Sequence, residues 1–272
     1  MSTQDTDTTA PPWARYVAVG DSLTEGMVDP DPADPARHRG WADLLAGALS
    51  RRRTAAGQPP LEYANLAVRG RLLGQILGEQ LPTARGLRPD LVSITGGGND
   101  ILRPGADVDA LLQSLEDTVA GLRADGTDVL LVTGSDPAGA PVIRLTRAKV
   151  AVFNTGLWSI AHRHGAHVLD LWGMRAIQDW RMWAEDRIHL STAGHERVAQ
   201  AALVGLGLAP DLDAWDDPLA PLPPEARADR WRGNARWAQS YALPWVQRRL
   251  RRQSSGDLRR AKYPEPVTVE TT

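Results

Sequence analysis

Short runs of apolar residues alternate along the chain with longer stretches in which apolar positions recur every three or four residues. The short runs lie at 15–19, 61–67, 90–95, 128–133 and 166–171. Most are β-branched and lack polar alternation, which predicts strands of a parallel sheet buried on both faces. Of the longer stretches, the clearest carries Val108, Leu111, Leu112, Leu115, Val119 and Leu122 on one helical stripe. Others cover roughly 41–53, 71–84, 146–164 and 192–206. Strand–helix alternation of this kind implies right-handed crossovers and an α/β fold with helices on both faces of the sheet. No internal repeat is present.

Both ends of the chain depart from this rhythm. Residues 1–12 are rich in Thr, Asp and Pro and are expected to be disordered. Around 209–224 the composition shifts to Pro, Asp and Ala, as in a linker or wrapping loop, and a helix is expected over about 225–243. The last twenty or so residues are polar and contain prolines, and are expected to be disordered. The expected organisation is therefore a catalytic domain over 13–208 followed by an extension over 209–272.

With 42% hydrophobic and 24% charged residues, the composition is that of an ordinary globular protein. A formal net charge of -2 argues against a protein that coats nucleic acid, and no nucleic-acid partner is expected. The absence of cysteine excludes disulfides and thiolate-bound metals and is compatible with the cytoplasm, the expected location. The first residues have neither a basic nor an apolar region of the kind a secretory signal needs. No apolar run approaches the roughly 18 residues of a membrane span.

In open parallel sheets, ligands bind at the carboxyl ends of the strands. Gly20-Asp21-Ser22-Leu23 follows the first strand directly, where a serine would sit on a tight turn with backbone N–H groups beside it. Taken alone it reads as an ordinary turn and helix cap. Gly96-Gly97-Gly98-Asn99-Asp100 follows the third strand, with glycines that allow close approach and an Asn99 amide suited to a developing negative charge. It lacks the Lys-Ser/Thr ending of a phosphate loop. Asp186-Arg187-Ile188-His189 precedes the helix near Ser191 or Thr192, and an Asp three residues before a His can orient it as a base. Asn65-Leu66-Ala67-Val68-Arg69-Gly70 ends the second strand, and Gly70 is expected to open the next helix. His195, in the first turn of its helix, reads as exposed. His162, His164 and His167 sit at a helix end away from the carboxyl edge, and C-capping or exposure suits them better than metal binding. No Gly-x-Ser-x-Gly elbow is present.

Each block is weak alone, but all four occur in a consistent order at one sheet edge. Together GDSLTEG at 20–26, NLAVRG at 65–70, GGND at 97–100 and DRIH at 186–189 resemble the SGNH/GDSL hydrolases, whose four naming blocks they supply across most of 15–206. The resemblance implies a three-layer α/β/α sandwich of about five parallel strands, flavodoxin-like in outline. It implies Ser22 as nucleophile, His189 as general base and Asp186 as its orienting carboxylate. The oxyanion hole would comprise the Ser22 N–H, the Gly70 N–H and the Asn99 side chain. Leu190 stands after His189 where many relatives have proline, at a position without chemistry.

The implied activity is hydrolysis of carboxylic esters, with short acyl or acetyl groups favoured, through an acyl-enzyme on Ser22. No metal or organic cofactor is required. His189 must be neutral to act, so activity is expected to rise through about pH 6–7. A lipid acyl hydrolase, including a lysophospholipase or thioesterase, is the alternative within enzymes, and a non-catalytic binding module is the alternative outside them. The Pro/Asp-rich stretch 28–39 is a candidate wall of the substrate pocket. Residues 227–262 carry eleven Lys/Arg against two Asp/Glu, with Trp237, Tyr241 and Trp245 at four-residue spacing and Pro244 expected to break the helix. Such a segment suits weak contact with anionic membrane. Packing of its aromatic residues on the catalytic domain is favoured, because exposed tryptophans are costly in water.

Overall fold

The computed structural model describes residues 10–140, 143–223, 227–242, 256 and 258–270. The first strand, β1 (Arg15–Val19), leads into a single helical turn, α1 (Ser22–Glu25), and then α2 (Trp41–Ala55). The chain continues through β2 (Glu62–Asn65) and a helical segment made of α3 (Leu73–Gln75), a π-turn over Ile76–Gln80 and α4 (Leu81–Gly86). After β3 (Leu91–Ile94) come α5 (Gly98–Ile101), α6 (Val108–Ala124), β4 (Asp128–Val132), α7 (Arg147–His164) and β5 (His167–Leu169). The last described elements are α8 (Thr192–Gly205), α9 (Arg227–Trp237), a π-turn over Ala238–Ala242 and β6 (Tyr263–Thr268).

All five expected strands are present and parallel, and the six-stranded sheet runs β5-β4-β3-β1-β2-β6. Their side chains alternate between two cores, as burial on both faces demands. Tyr16, Ala18, Tyr63, Leu91 and Leu130 face the core under α2 and α8. Val17, Val19, Ala64, Val92, Ile94, Val129 and Leu131 face the core under the α3–α4 segment, α6 and α7. The result is the expected three-layer α/β/α sandwich. In α6, Leu115, Val119 and Leu122 are buried, with Val108, Leu111 and Leu112 at the margin of the core.

The sixth strand corrects the expectation of a disordered tail. β6 pairs antiparallel with β2, matching Glu62 with Thr268 and Tyr63 with Val267. Pro264 and Pro266 made the segment look unstructured, but a strand at a sheet edge needs its N–H groups on one side only. Just before β6, Lys262 turns inward. Its Nζ donates to Asp43 Oδ2 at 2.6 Å and to the carbonyls of Glu25 and His38 at 2.8 and 2.9 Å. Burial pushes the Asp43 carboxyl up to about 6, with the Lys262 ammonium and hydrogen bond acting against it.

At the amino end, residues 1–9 of the expected disordered lead-in lie outside the described residues. Pro11 is buried, and its carbonyl and that of Trp13 accept from Arg53 Nη1. Among the described residues, no helix is long and apolar enough to cross a membrane.

Lys262→Met leaves Asp43 without its counter-charge and should cost about 3–5 kcal/mol of stability at pH 8. A carboxyl raised by burial opposes folding only where it ionises, so the loss should be smaller at pH 5. Urea unfolding at the two pH values measures this, and an equal loss at both would show that the charge is not the cause.

Candidate active site

Chain order places β2 on one side of β1 and β3 on the other, so the connections leaving β1 and β3 diverge and open a crevice at their carboxyl ends. The Gly20–Ser22 turn and the Gly96–Asp100 turn form its two lips. The first is held by buried polar side chains. Gln80, from the π-turn, accepts from Gly20 N at 2.8 Å and donates to Gly20 O at 2.9 Å. Asn65 Nδ2 donates to Thr24 O at 3.0 Å and to Tyr63 Oη at 2.8 Å. Thr24 Oγ1 donates to Thr95 Oγ1 at 2.8 Å, and Glu25 receives the Arg69 N–H at 2.6 Å together with its guanidinium. Buried polar groups must be paired, so α1 has essentially one position relative to β2 and β3.

Ser22 begins α1, immediately after Asp21, whose carboxylate caps that turn by accepting from Leu23 N at 3.1 Å. Asn99 reaches the same turn, with Nδ2 donating to Arg71 O at 3.1 Å and to Asp21 Oδ2 at 3.3 Å. Asp100 Oδ2 accepts from Leu73 N at 2.9 Å and so joins this lip to the segment after Gly70. Gly97 has φ +89°, and a Cβ there would lie 2.6 Å from the Phe153 ring, so glycine is required twice over. Gly70 does not open a helix as expected. It takes φ +73° in a turn, and the helix starts at Leu73 after an N-cap at Leu72. The Ser22 and Gly70 N–H groups donate to no other group among the described residues.

The Asp186–His189 pair arrives from the loop before α8. His189 Nδ1 lies 2.6 Å from Asp186 Oδ2, and Asp186 Oδ1 accepts from Ile188 N at 2.9 Å and His189 N at 3.0 Å. Burial acts to raise the Asp186 carboxyl, but the His189 imidazole and the two backbone N–H groups outweigh it and hold it below the ordinary carboxylate range. Asp21 behaves oppositely. Burial pushes it up to about 6, against the Leu23 N–H and the nearby His189, while Asp100 adds repulsion.

Asn99 and Asp100 thus tie the Ser22 turn to the segment after Gly70, and Asp186 and His189 are joined to each other. Reading by motif missed Gln80, whereas Asp21 caps its turn as the ordinary reading of that motif expects. Gln80 carried no signal beyond being a polar residue in an apolar helical stretch. His195 corrects an expectation, since it is buried at 1% exposure, with Nδ1 accepting from Trp41 N at 3.2 Å. Burial pushes it down to about 4. Close by, the buried Asp29 accepts from Thr192 Oγ1 at 2.7 Å, tying the 28–39 loop to the start of α8. His164 Nε2 lies 3.0 Å from Glu116, and no metal-binding cluster occurs among the described residues.

A model of the GDSL-like lipase/acylhydrolase family matches residues 18–197. The chain belongs to that family and is, at that level, a carboxylic ester hydrolase. Among solved structures it is similar to LAE5, an alpha/beta hydrolase enzyme from the metagenome of Lake Arreo, Spain, at 25% identity and a TM-score of 0.61, covering 74% of this chain and 97% of that one. It is similar to TesA at 25% identity and a TM-score of 0.54, covering 71% and 97%. Axe2, an acetylxylan esterase from Geobacillus stearothermophilus, shares the fold at 20% identity and a TM-score of 0.59, covering 72% and 94%. No curated protein matches the sequence.

A buried carboxyl whose folded pKa is raised favours the folded state below its unfolded value and loses that contribution as pH rises through about 6. Asp21→Asn should therefore raise Tm at pH 8 and leave it nearly unchanged at pH 4. His195 titrates alike in both proteins and cancels from the comparison. Thermal unfolding at the two pH values measures the difference, and a lower Tm at pH 8 would refute the burial cost.

Proposed function

We propose that the protein hydrolyses carboxylic esters of small acyl groups through an acyl-enzyme on Ser22. The observations that carry this reading are the Asp186–His189 pair, bonded at 2.6 Å, and the Ser22 turn that Asn99 reaches through Asp21. Ser22 Oγ attacks the ester carbonyl carbon while His189 Nε2 takes the hydroxyl proton. Asp186, held ionised, keeps the His189 proton on Nδ1, leaves Nε2 as the basic nitrogen and stabilises the imidazolium that forms. The C=O electrons move onto oxygen, which the Ser22 N–H, the Gly70 N–H and Asn99 Nδ2 receive. Asn99 would turn away from its 3.3 Å contact with Asp21 to do so. Collapse of the tetrahedral adduct expels the alcohol, which takes the proton from His189. Water, deprotonated by His189, then attacks the acyl-enzyme and restores Ser22.

Small acyl groups are favoured by the packing beneath the second lip. A Cβ on Gly96 would meet Leu73 Cδ1 at 2.9 Å and Ile76 Cδ1 at 3.1 Å, and one on Gly97 would meet Phe153. Side chains therefore fill the space below this turn, which offers no room there for a long acyl chain.

Ser22→Ala should lose turnover of a chromogenic acetyl ester and labelling by a fluorophosphonate. Asn99→Ala should lower kcat by about 10²–10³ with labelling retained but slowed. Ser22→Ala with wild-type turnover would refute the mechanism, and faster turnover of long-chain than of acetyl esters would refute the acyl preference.

A further inference from the structure

The segment matched to the family ends at residue 197, yet the loop bearing the Asp186–His189 pair is gripped by a helix from beyond it. Three consecutive loop residues are each held by the α9 segment. Glu185 Oε2 accepts from Tyr241 Oη at 3.1 Å, Asp186 O accepts from Trp237 Nε1 at 2.9 Å, and Arg187 Nη1 donates to Asn234 Oδ1 at 2.8 Å. Positions 234, 237 and 241 are spaced three and four apart, so one face of α9 and its following turn makes all three contacts. The Arg187 guanidinium also stacks between two rings, 5.6 Å from the Trp180 centroid and 5.2 Å from that of Trp237.

This grip bears on the one backbone feature that shapes the pair. Arg187 has φ +58°, a left-handed conformation uncommon for a residue with a side chain. That conformation turns the chain so that the Ile188 and His189 N–H groups both reach Asp186 Oδ1. The Asp186 carbonyl belongs to the peptide that rotates if Arg187 relaxes, and Trp237 holds that carbonyl. Relaxation would swing the carboxylate away from His189 Nδ1, and displacements of about 1 Å in such groups cost large factors in rate. Trp231, on the same helix, is 73% exposed and takes no part.

We propose that Trp237 is a positioning residue for the Asp186–His189 pair, which makes α9 a working part of the catalytic centre rather than an appendage. This rests on the reading of those two residues as orienting acid and base. Trp237 acts in two ways, its indole N–H holding the Asp186 peptide and its ring closing the stack on Arg187. Phe at this position keeps the second and removes the first.

The test uses the full chain with Trp237→Phe, Trp237→Leu and, as control, Trp231→Ala, each also in an Asp186→Asn background. Turnover of a chromogenic acetyl ester, the rate of fluorophosphonate labelling and thermal unfolding are measured. Trp237→Phe should lower kcat and the labelling rate about tenfold with KM within about twofold, Trp237→Leu should lower them further, and Trp231→Ala should change neither. In the Asp186→Asn background, Trp237→Phe should have almost no further effect, because the group it positions is already lost. Unchanged kcat in folded Trp237→Phe and Trp237→Leu overturns the proposal, as does an equal fold-loss in both backgrounds, which would indicate a merely structural role. Failure of the underlying reading looks different: Asp186→Asn by itself would then leave turnover at the wild-type level.

Discussion

Every part of the site hangs on β1, which is hydrogen-bonded to β2 on one side and β3 on the other. A parallel strand in the middle of a sheet must send its chain out at the carboxyl end and receive its neighbours by crossovers of one hand. The connections leaving β1 and β3 therefore part at a single edge. What fills the gap is decided by desolvation. Asn65, Gln80, Thr24 and Thr95 are buried with their polar atoms paired, and each pair joins the turn from Gly20 to Glu25 to a different element. An unpaired polar group here would cost more than most side-chain rearrangements, so the turn carrying Ser22 is located by its neighbours as much as by its own residues.

Two carboxyl groups near this edge show how local donors divide the chemistry. Asp186 receives two N–H groups and an imidazole and is held below the ordinary carboxylate range, whereas Asp21, more deeply buried and with weaker support, is pushed up to about 6. Burial acts on both in the same direction, and the outcome differs because Asp21 is the more buried and has the fewer donors.

The strands that pattern alone made legible are those buried on both faces, because burial leaves a continuous apolar run. β6 was illegible for the opposite reason: it is exposed on most of its length, carries two prolines and pairs along one side only. The four chemical blocks were legible because each pairs a strand end with residues that have few other uses together. His195 was misread since a helix's first turn is ordinarily wet, whereas here it meets the start of α2 at Trp41, a contact distant in sequence. Trp237 and Tyr241 stood out as an aromatic repeat, but nothing local to them indicates the loop they meet. Trp245 lies outside the described residues.

The antiparallel strand at the β2 edge also has a consequence for synthesis. β6 follows β2 by roughly two hundred residues, so β2 leaves the ribosome long before the strand that covers it. During that interval the nascent sheet exposes a bare row of backbone donors and acceptors, the kind of surface that recruits other extended chains. The closing pairing spans nearly the whole chain and carries a large loop-closure entropy, so it is expected late in folding. The two prolines in β6 fit this order of events, because they blunt the outer side of the last strand to join and end the growth of the sheet there.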